Sequence, residues 1–399
     1  MYMLSRWGTN GLMKKKTFRL SSDCIEWGRY LIDTRTGRAF EKSSSLKIEN
    51  GFVYKTPENE KIVRELCKRG ILSNPEYNKA KRFFHLQWHL LNECNLRCSH
   101  CYDWKEKIAG LTLKQMFRVV DEYVFFLKSL DYQGEISLTG GEPTLFPHLI
   151  ELIEYIKSRE IFIRLSILSN GISFPQKLIP VIKKYNIGIQ ISLDGLEEVH
   201  DKIRGKGSFL KSLNTIKLLI DNKIDTSVHY VLMKKNIQYI ENFIKFLDPL
   251  GLGRINFSVL VPIGPGAQEE MATPLELKNC YENLIKLQKT VSTPILGSRP
   301  LWTLVGRSGV CPVGYKTLTI DASGNLMPCR RWPVVMGNVQ EDSIMKIWYT
   351  DPFLNKMRNR ETYLKKCGQC EKLAECAGCR AVAAAATGDP FEKDPYCWI

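Results

Sequence analysis

From residue 83 onward the chain alternates between two rhythms of apolar residues. Short, largely apolar runs at Phe83–Leu91, Glu135–Thr139, Phe162–Ser169, Ile187–Leu193, Thr226–Met233 and Arg254–Val261 predict strands. Between them, His148–Arg159, Pro175–Tyr185, Phe209–Asn222 and Ile237–Leu250 space their apolar residues three or four apart, the mark of amphipathic helices. Apolar strands separated by helices predict an α/β fold with a parallel sheet of βαβ units. In such folds the functional site lies at the carboxyl ends of the strands. Gly140-Gly141-Glu142-Pro143, Asn170-Gly171 and Asp194-Gly195 stand at three of those ends.

Residues 1–82 carry another pattern and form a candidate N-terminal α+β region. Gly28–Phe40 reads as a hairpin turning at Asp33–Gly37, and Ile48–Tyr54 as a second one turning at Asn50-Gly51. Thr56-Pro57-Glu58-Asn59-Glu60 opens a helix with threonine as N-cap; Ile62, Val63, Leu66 and Cys67 give it an apolar face, and it ends at Gly70. Residues 83–265 hold the alternating core. Residues 266–310, with helix Pro274–Thr290 between proline and glycine clusters, read as a connector. Residues 311–399 form a cysteine-rich end in which Thr317–Pro328 reads as a hairpin.

Cysteine changes the picture most. There are thirteen, an odd number, and no apolar run long enough for export or for spanning a membrane. A cytoplasmic protein whose thiols ligate metal is expected, rather than one held by disulfides. Three cysteines lie at 94–101 and seven at 311–397, while Cys24, Cys67 and Cys280 are scattered and read as core or surface thiols. Net charge is +15, from 57 basic against 42 acidic residues. The lysines are dispersed over helix faces, so no nucleic-acid partner is expected.

Cys94, Cys98 and Cys101 form a CX3CX2C loop directly after the first strand. Thiolates suit zinc, copper(I) or iron–sulfur clusters. A four-iron cluster normally takes four cysteines; three leave one iron open to another ligand, and His100 has no evident role as a fourth. A zinc knuckle or plain core thiols are the alternatives on this spacing alone.

CX3CX2C followed by Tyr102, then Gly-Gly-Glu-Pro, Ser169-Asn170-Gly171 and Ser192-Leu193-Asp194-Gly195, resembles the radical S-adenosylmethionine superfamily over roughly 83–262. The resemblance implies a partial (β/α)6 barrel. Cys94, Cys98 and Cys101 would hold a [4Fe–4S] cluster whose open iron takes S-adenosylmethionine, giving a 5′-deoxyadenosyl radical. Glu142, with the backbone of Gly140 and Gly141, would meet the methionyl amine. Ser169, Asn170, Ser192 and Asp194 would lie near the ribose or carboxylate, and Arg204 would pair with the carboxylate. Tyr102 and the strand Val231-Leu232-Met233 would flank adenine.

The C-terminal cysteines resemble the SPASM extension with its auxiliary [4Fe–4S] clusters. By that pattern Cys367, Cys370, Cys376 and Cys397 ligate the outer cluster, and Cys311, Cys329 and Cys379 the inner one. Two departures stand out. No extra cysteine follows Cys311 before Cys329, which leaves an open iron or a non-cysteine ligand on the inner cluster. Cys376 and Cys379 are spaced CX2C where the pattern has CX3C.

SPASM-type peptide maturases imply a ribosomally made precursor peptide as substrate, crosslinked or otherwise modified, and an external reductant such as flavodoxin or ferredoxin. Residues 1–82 resemble in outline the small domain that captures leader peptides in such enzymes. The chain end, with Gly378-Cys379-Arg380-Ala381, also resembles members that act on haem precursors, so tetrapyrrole side-chain chemistry is the runner-up. A non-catalytic iron–sulfur electron carrier or zinc-binding module is the rival of another class. It has no use for Gly-Gly-Glu-Pro or the polar strand ends.

Overall fold

A computed structural model of the chain describes residues 17–20, 24–27, 30–33, 39–49, 52–54, 56, 58–68, 72–73, 82–103, 109–297, 301–306, 311–373 and 376–399. It divides into two compact units, 1–33 with 39–81, and 34–38 with 82–399.

The first unit pairs Tyr30–Asp33 with Ala39–Glu41, and Ile48–Glu49 with Phe52–Tyr54, both antiparallel. These are the two expected hairpins, whose turns lie outside the described residues. The second belongs to a four-stranded sheet with Thr17–Leu20 and Leu72–Ser73. The helix is shorter at its start than expected and spans Glu60–Lys68. Thr56 and Asn59 form a turn before it: Asn59 N donates to Thr56 O, and Val63 N to Asn59 O. Asn59 O is therefore the first acceptor of the helical ladder, and Asn59 Oδ1 reaches back to accept from Thr56 N at 2.8 Å. Val63 and Leu66 join Leu20, Leu31, Val53 and Leu72 in a core of this unit's own; the helix end at Gly70 and the Cys67 side chain lie outside the described residues.

The second unit is built on one sheet. Its parallel strands are β1 Phe83–His89, β2 Gln133–Thr139, β3 Ile163–Ser169, β4 Gly188–Ser192, β5 Thr226–Leu232 and β6 Arg254–Val259. They pair in chain order, β1 to β6. This is the six-stranded partial barrel. Strand β1 is buried on both faces at its C-terminal end: Trp88 and His89 are both almost fully covered. Helix α1, Leu113–Leu130, crosses between β1 and β2 and is not among the elements named from the pattern. A capping box of Thr112 and Gln115 starts it, and Met116, Val119, Val120, Tyr123 and Leu127 bury one face. Helices α2 Leu149–Lys157, α3 Ile179–Tyr185, α4 Glu197–Arg204, α5 Ser208–Asp221 and α6 Ile240–Leu247 follow the later strands.

Beyond β6 comes α7, Pro274–Leu287, capped by Thr273 with Glu276. Its Tyr281 packs edge-on against Trp302, and both meet Phe257 of β6. Residues 266–297 and 301–306 thus add a packed layer to the barrel, and their strand β7, Ile295–Leu296, extends the sheet beyond β6.

The sheet also grows at its other edge. Strand β8, Thr317–Ile320, pairs in parallel with β1, setting Thr317 opposite His85 and Ile320 opposite Trp88. It turns through Asp321–Gly324 into antiparallel β9, Asn325–Met327, which pairs with β10, Gly337–Asn338. The expected C-terminal hairpin is therefore part of the barrel sheet. Short helices at 344–368 and helix α8, Arg380–Thr387, complete the chain. No helix among the described residues is long and apolar enough to cross a membrane.

Candidate active site

The three-cysteine loop hangs from the end of β1 and is tied to its neighbours through the backbone. Gly141 N donates to Leu91 O and Glu142 N to Glu93 O, each at 2.8 Å. The chains approach so closely that a Cβ on Gly140 would lie 2.4 Å from Leu91 O, and one on Gly141 2.1 Å from Glu93 O. The paired glycines are thus needed for contact with the cluster loop itself. Replacing Gly141 with alanine should cost about 1–3 kcal/mol or more, the usual penalty of forcing atoms into packed backbone. A denaturant titration against the parent chain measures it; a loss below 0.5 kcal/mol would contradict the contact.

Glu142 is 1 % exposed. Its Oε1 accepts from Ser169 Oγ (2.8 Å), Thr144 Oγ1 (2.6 Å) and Thr144 N (3.1 Å), and its Oε2 from Asn170 N (2.7 Å). Burial pushes its carboxyl up, and these four donors pull against that shift. It locks the ends of β2 and β3 together. Asn170, so placed, turns Nδ2 toward Asn95 Oδ1 at 2.7 Å and Cys94 Sγ at 3.7 Å.

A second buried set stands behind Cys98. Arg204 donates from Nε to Asp194 Oδ2 at 2.6 Å and from an Nη to Cys98 Sγ at 3.7 Å. His100 Nε2 lies 3.1 Å from Asp194 Oδ2, and Val231 N donates to Asp194 Oδ1 at 2.8 Å. Burial would raise the Asp194 carboxyl, but Arg204 and then His100 more than reverse this and hold it well below the usual carboxylate range.

The loop, the strand ends and the C-terminal segment border a cleft, open to solvent on one side, of about 940 Å³ with its mouth included. Of the residues singled out in the sequence, Cys94, Cys98, Cys101, Tyr102, Gly140, Gly141, Ser169, Asn170, Ser192 and Arg204 line it. Glu142, Asp194 and Met233 do not. Glu142 bonds Ser169 and Asn170, and Asp194 bonds Arg204, all three of which line the cleft. Met233 is buried with Ile203 and Leu260, while Val231 reaches the cavity. Met233 lies just past the end of β5, and Val231 packs against the same cluster while bordering the cavity.

Sequence reasoning missed several lining residues. Gln190, His229 and Ser258 are inward positions of β4, β5 and β6. Their signal was a polar residue inside an apolar strand. His100, Asp103, Arg330 and Arg331 also face the cavity. Asp103 Oδ2 lies 2.7 Å from His89 Nδ1, and the Arg330 guanidinium lies 5.6 Å from the centre of the Tyr102 ring. Burial, with Arg330 beside it, lowers the His229 imidazole to about 3, so it is neutral at physiological pH.

The C-terminal thiols fall into two neighbourhoods. Cys311 is pushed up by burial and by the nearby Cys329, and Cys379 goes to about 11 through burial with Cys311 close by. Cys376 is pushed to about 12 by burial, with Cys397 and Cys367 adjacent. Cys370 N donates to Cys367 O, one tight turn on. The CX2C pair is divided between the groups because Ala377 and Gly378 both take positive φ, 74° and 65°, and reverse the chain. These thiols fit iron–sulfur ligation. Cys94, Cys98, Cys101 and the seven C-terminal cysteines form no disulfide, those at 94 and 98 already receive N–H donors, and no three His, Cys, Asp or Glu side chains among the described residues converge as one ion needs. A cluster, whose own sulfides space its ligands, asks for grouped thiols of this kind.

Comparison with known proteins agrees. The family model of the radical SAM superfamily matches residues 88–247, and that of SPASM, an iron–sulfur cluster-binding domain, matches 311–371. The AdoMet-dependent heme synthase of Methanosarcina barkeri is 27% identical over 78% of this chain and 95% of its own length. AlbA of Bacillus subtilis, an antilisterial bacteriocin subtilosin biosynthesis protein, is 25% identical over 81% of this chain and 73% of its own. Streptococcus suis SuiB bound to S-adenosylmethionine shares the fold with a TM-score of 0.67 over 97% of this chain and 99% of that one, at 17% identity. SuiB is also solved bound to its precursor peptide SuiA, with a TM-score of 0.66 over 96% of this chain and 100% of that one, at 16% identity.

Proposed function

This chain is a radical SAM enzyme with a SPASM domain, and we propose that it modifies a ribosomally made peptide by hydrogen abstraction, forming a crosslink or related change. The observation that carries the reading is the N-terminal unit. The likeness to SuiB covers 97% of the chain and so leaves too few residues over for residues 1–82 to fall outside it.

When bound, a [4Fe–4S] cluster and S-adenosylmethionine supply one-electron chemistry that removes hydrogen from an unactivated carbon. Cys94, Cys98 and Cys101 hold the cluster on this reading, with Asn170 and Arg204 donating to its sulfur ligands. Ser192 and the Gly140-Gly141 backbone border the space for S-adenosylmethionine. Gln190, neutral His229 and Ser258 form the wall against which substrate is oriented. Arg330 makes no ion pair among the described residues, so the wall favours a peptide that brings a carboxylate. The two C-terminal thiol groups would hold auxiliary clusters, which would supply electron-accepting centres near the site, and an external flavodoxin or ferredoxin would serve as reductant.

Removing residues 1–82 takes away a unit with its own hydrophobic core. If a short peptide reading frame lies beside its gene, the shortened chain should lose at least tenfold in affinity for that peptide while still cleaving S-adenosylmethionine. Calorimetry and 5′-deoxyadenosine assay read the two separately. Unchanged peptide affinity, together with tight coproporphyrin binding, would favour tetrapyrrole chemistry instead.

A further inference from the structure

The C-terminal domain buries two arginines that make no ion pair within 4.0 Å among the described residues, although the buried Asp394 carboxyl feels the charge of Arg380. Arg360 is 5 % and Arg380 4 % exposed. Both line one small cavity of about 270 Å³, with Cys311 and Gly378 on its wall. Arg360 donates from one Nη to Cys311 O at 3.1 Å and stacks over Tyr315 at 4.7 Å. Its other Nη is buried without an acceptor. Arg380 donates from one Nη to Pro390 O (2.8 Å) and Glu392 O (2.6 Å), and from the other to Cys367 Sγ at 3.9 Å. Its Nε is likewise buried and unmet. Residue 378 is a glycine at φ 65°, and a Cβ there would lie 2.3 Å from Arg380 Nη2, so the backbone is stripped bare to admit the guanidinium.

Two buried cations with unmet donors are costly unless an anion faces them. They sit by different thiol groups: Arg360 bonds the Cys311 carbonyl and its charge acts on that thiol, whereas Arg380 donates to the Cys367 sulfur. A cluster held by thiolates is such an anion, and its sulfurs accept hydrogen bonds that shift its potential. We propose that Arg360 and Arg380 are the counter-charges of the inner and outer auxiliary clusters respectively, donating to cluster sulfur and raising each reduction potential. The inference rests on the two-cluster reading of the C-terminal domain. The arginines are positioning residues: they set how readily each cluster accepts an electron without touching substrate.

The test is a redox titration, followed by electron paramagnetic resonance, of the full-length chain reconstituted with iron and sulfide. Arg380→Gln should move one auxiliary signal to lower potential and Arg360→Gln the other. The signal that changes on adding S-adenosylmethionine should stay where it is. Arg380→Lys and Arg360→Lys, which keep the charge, should recover most of each shift. If a glutamine variant fails to retain its cluster while the lysine variant retains it, the counter-charge role is again supported. Unmoved potentials at full iron content, or glutamine and lysine variants that behave alike, would overturn the proposal. A parent chain that binds about four irons instead of about twelve would overturn the two-cluster reading itself, and does so before any variant is made.

Discussion

Replacing Cys98 with alanine should leave no 5′-deoxyadenosine above background when the reconstituted chain is given dithionite and S-adenosylmethionine. The reaction depends on a cluster held by only three protein ligands, so no spare thiol in the loop can substitute. Removing Cys98 also takes away the sulfur that receives an Arg204 Nη. Iron content should fall by about four per chain, the complement of one cluster, with both auxiliary signals retained. Cys280, buried at 8 % exposure on α7 and outside every thiol group, is the control: Cys280→Ala should keep its iron and its turnover. Activity of Cys98→Ala within tenfold of the parent would remove the loop from the chemistry.

Asp194→Ala should be the most destabilising single change near the site, by about 3–5 kcal/mol, because it leaves the buried Arg204 guanidinium without its carboxylate. The same change frees Val231 N and His100 Nε2. The pH dependence follows from the sign of the shift. A carboxyl held below its unfolded value contributes stability in full above that value, near 3.9, and loses it as pH falls through the lower folded value. The parent should therefore keep this contribution at neutral pH and shed it only in strong acid, and Asp194→Asn should flatten the acid limb. Thermal melts from pH 7 to pH 3 would show it. A parent that loses this stability between pH 7 and pH 5 would contradict the arrangement.

The barrel was legible because its strands are apolar runs that end in glycine-bearing turns, and each of the six lies within a few residues of its expected span. Helix α1 carried an equally readable signal in its capping box and its buried residues three and four apart. The site was legible as motifs but not as roles. Glu142 and Asp194 stand at strand ends where a ligand contact is the natural expectation. Each instead spends its oxygens on neighbours, a fact that depends on which backbone N–H and which guanidinium the fold brings back. Arg330 could not be placed from sequence, because it reaches the cavity through a pairing between β1 and β8 that joins His85 to Thr317. That contact spans over two hundred residues and leaves no local pattern.

The same pairing limits how such enzymes can be recombined. A chimaera joined at Cys311 imports a foreign β8 that must match the register of His85–Trp88. A junction moved past the hairpin, beyond Pro328, spares the sheet but parts Cys311 from Cys329 and Cys379. Loops around the cavity can be exchanged one at a time, whereas the inner thiol group is inherited together with a barrel strand.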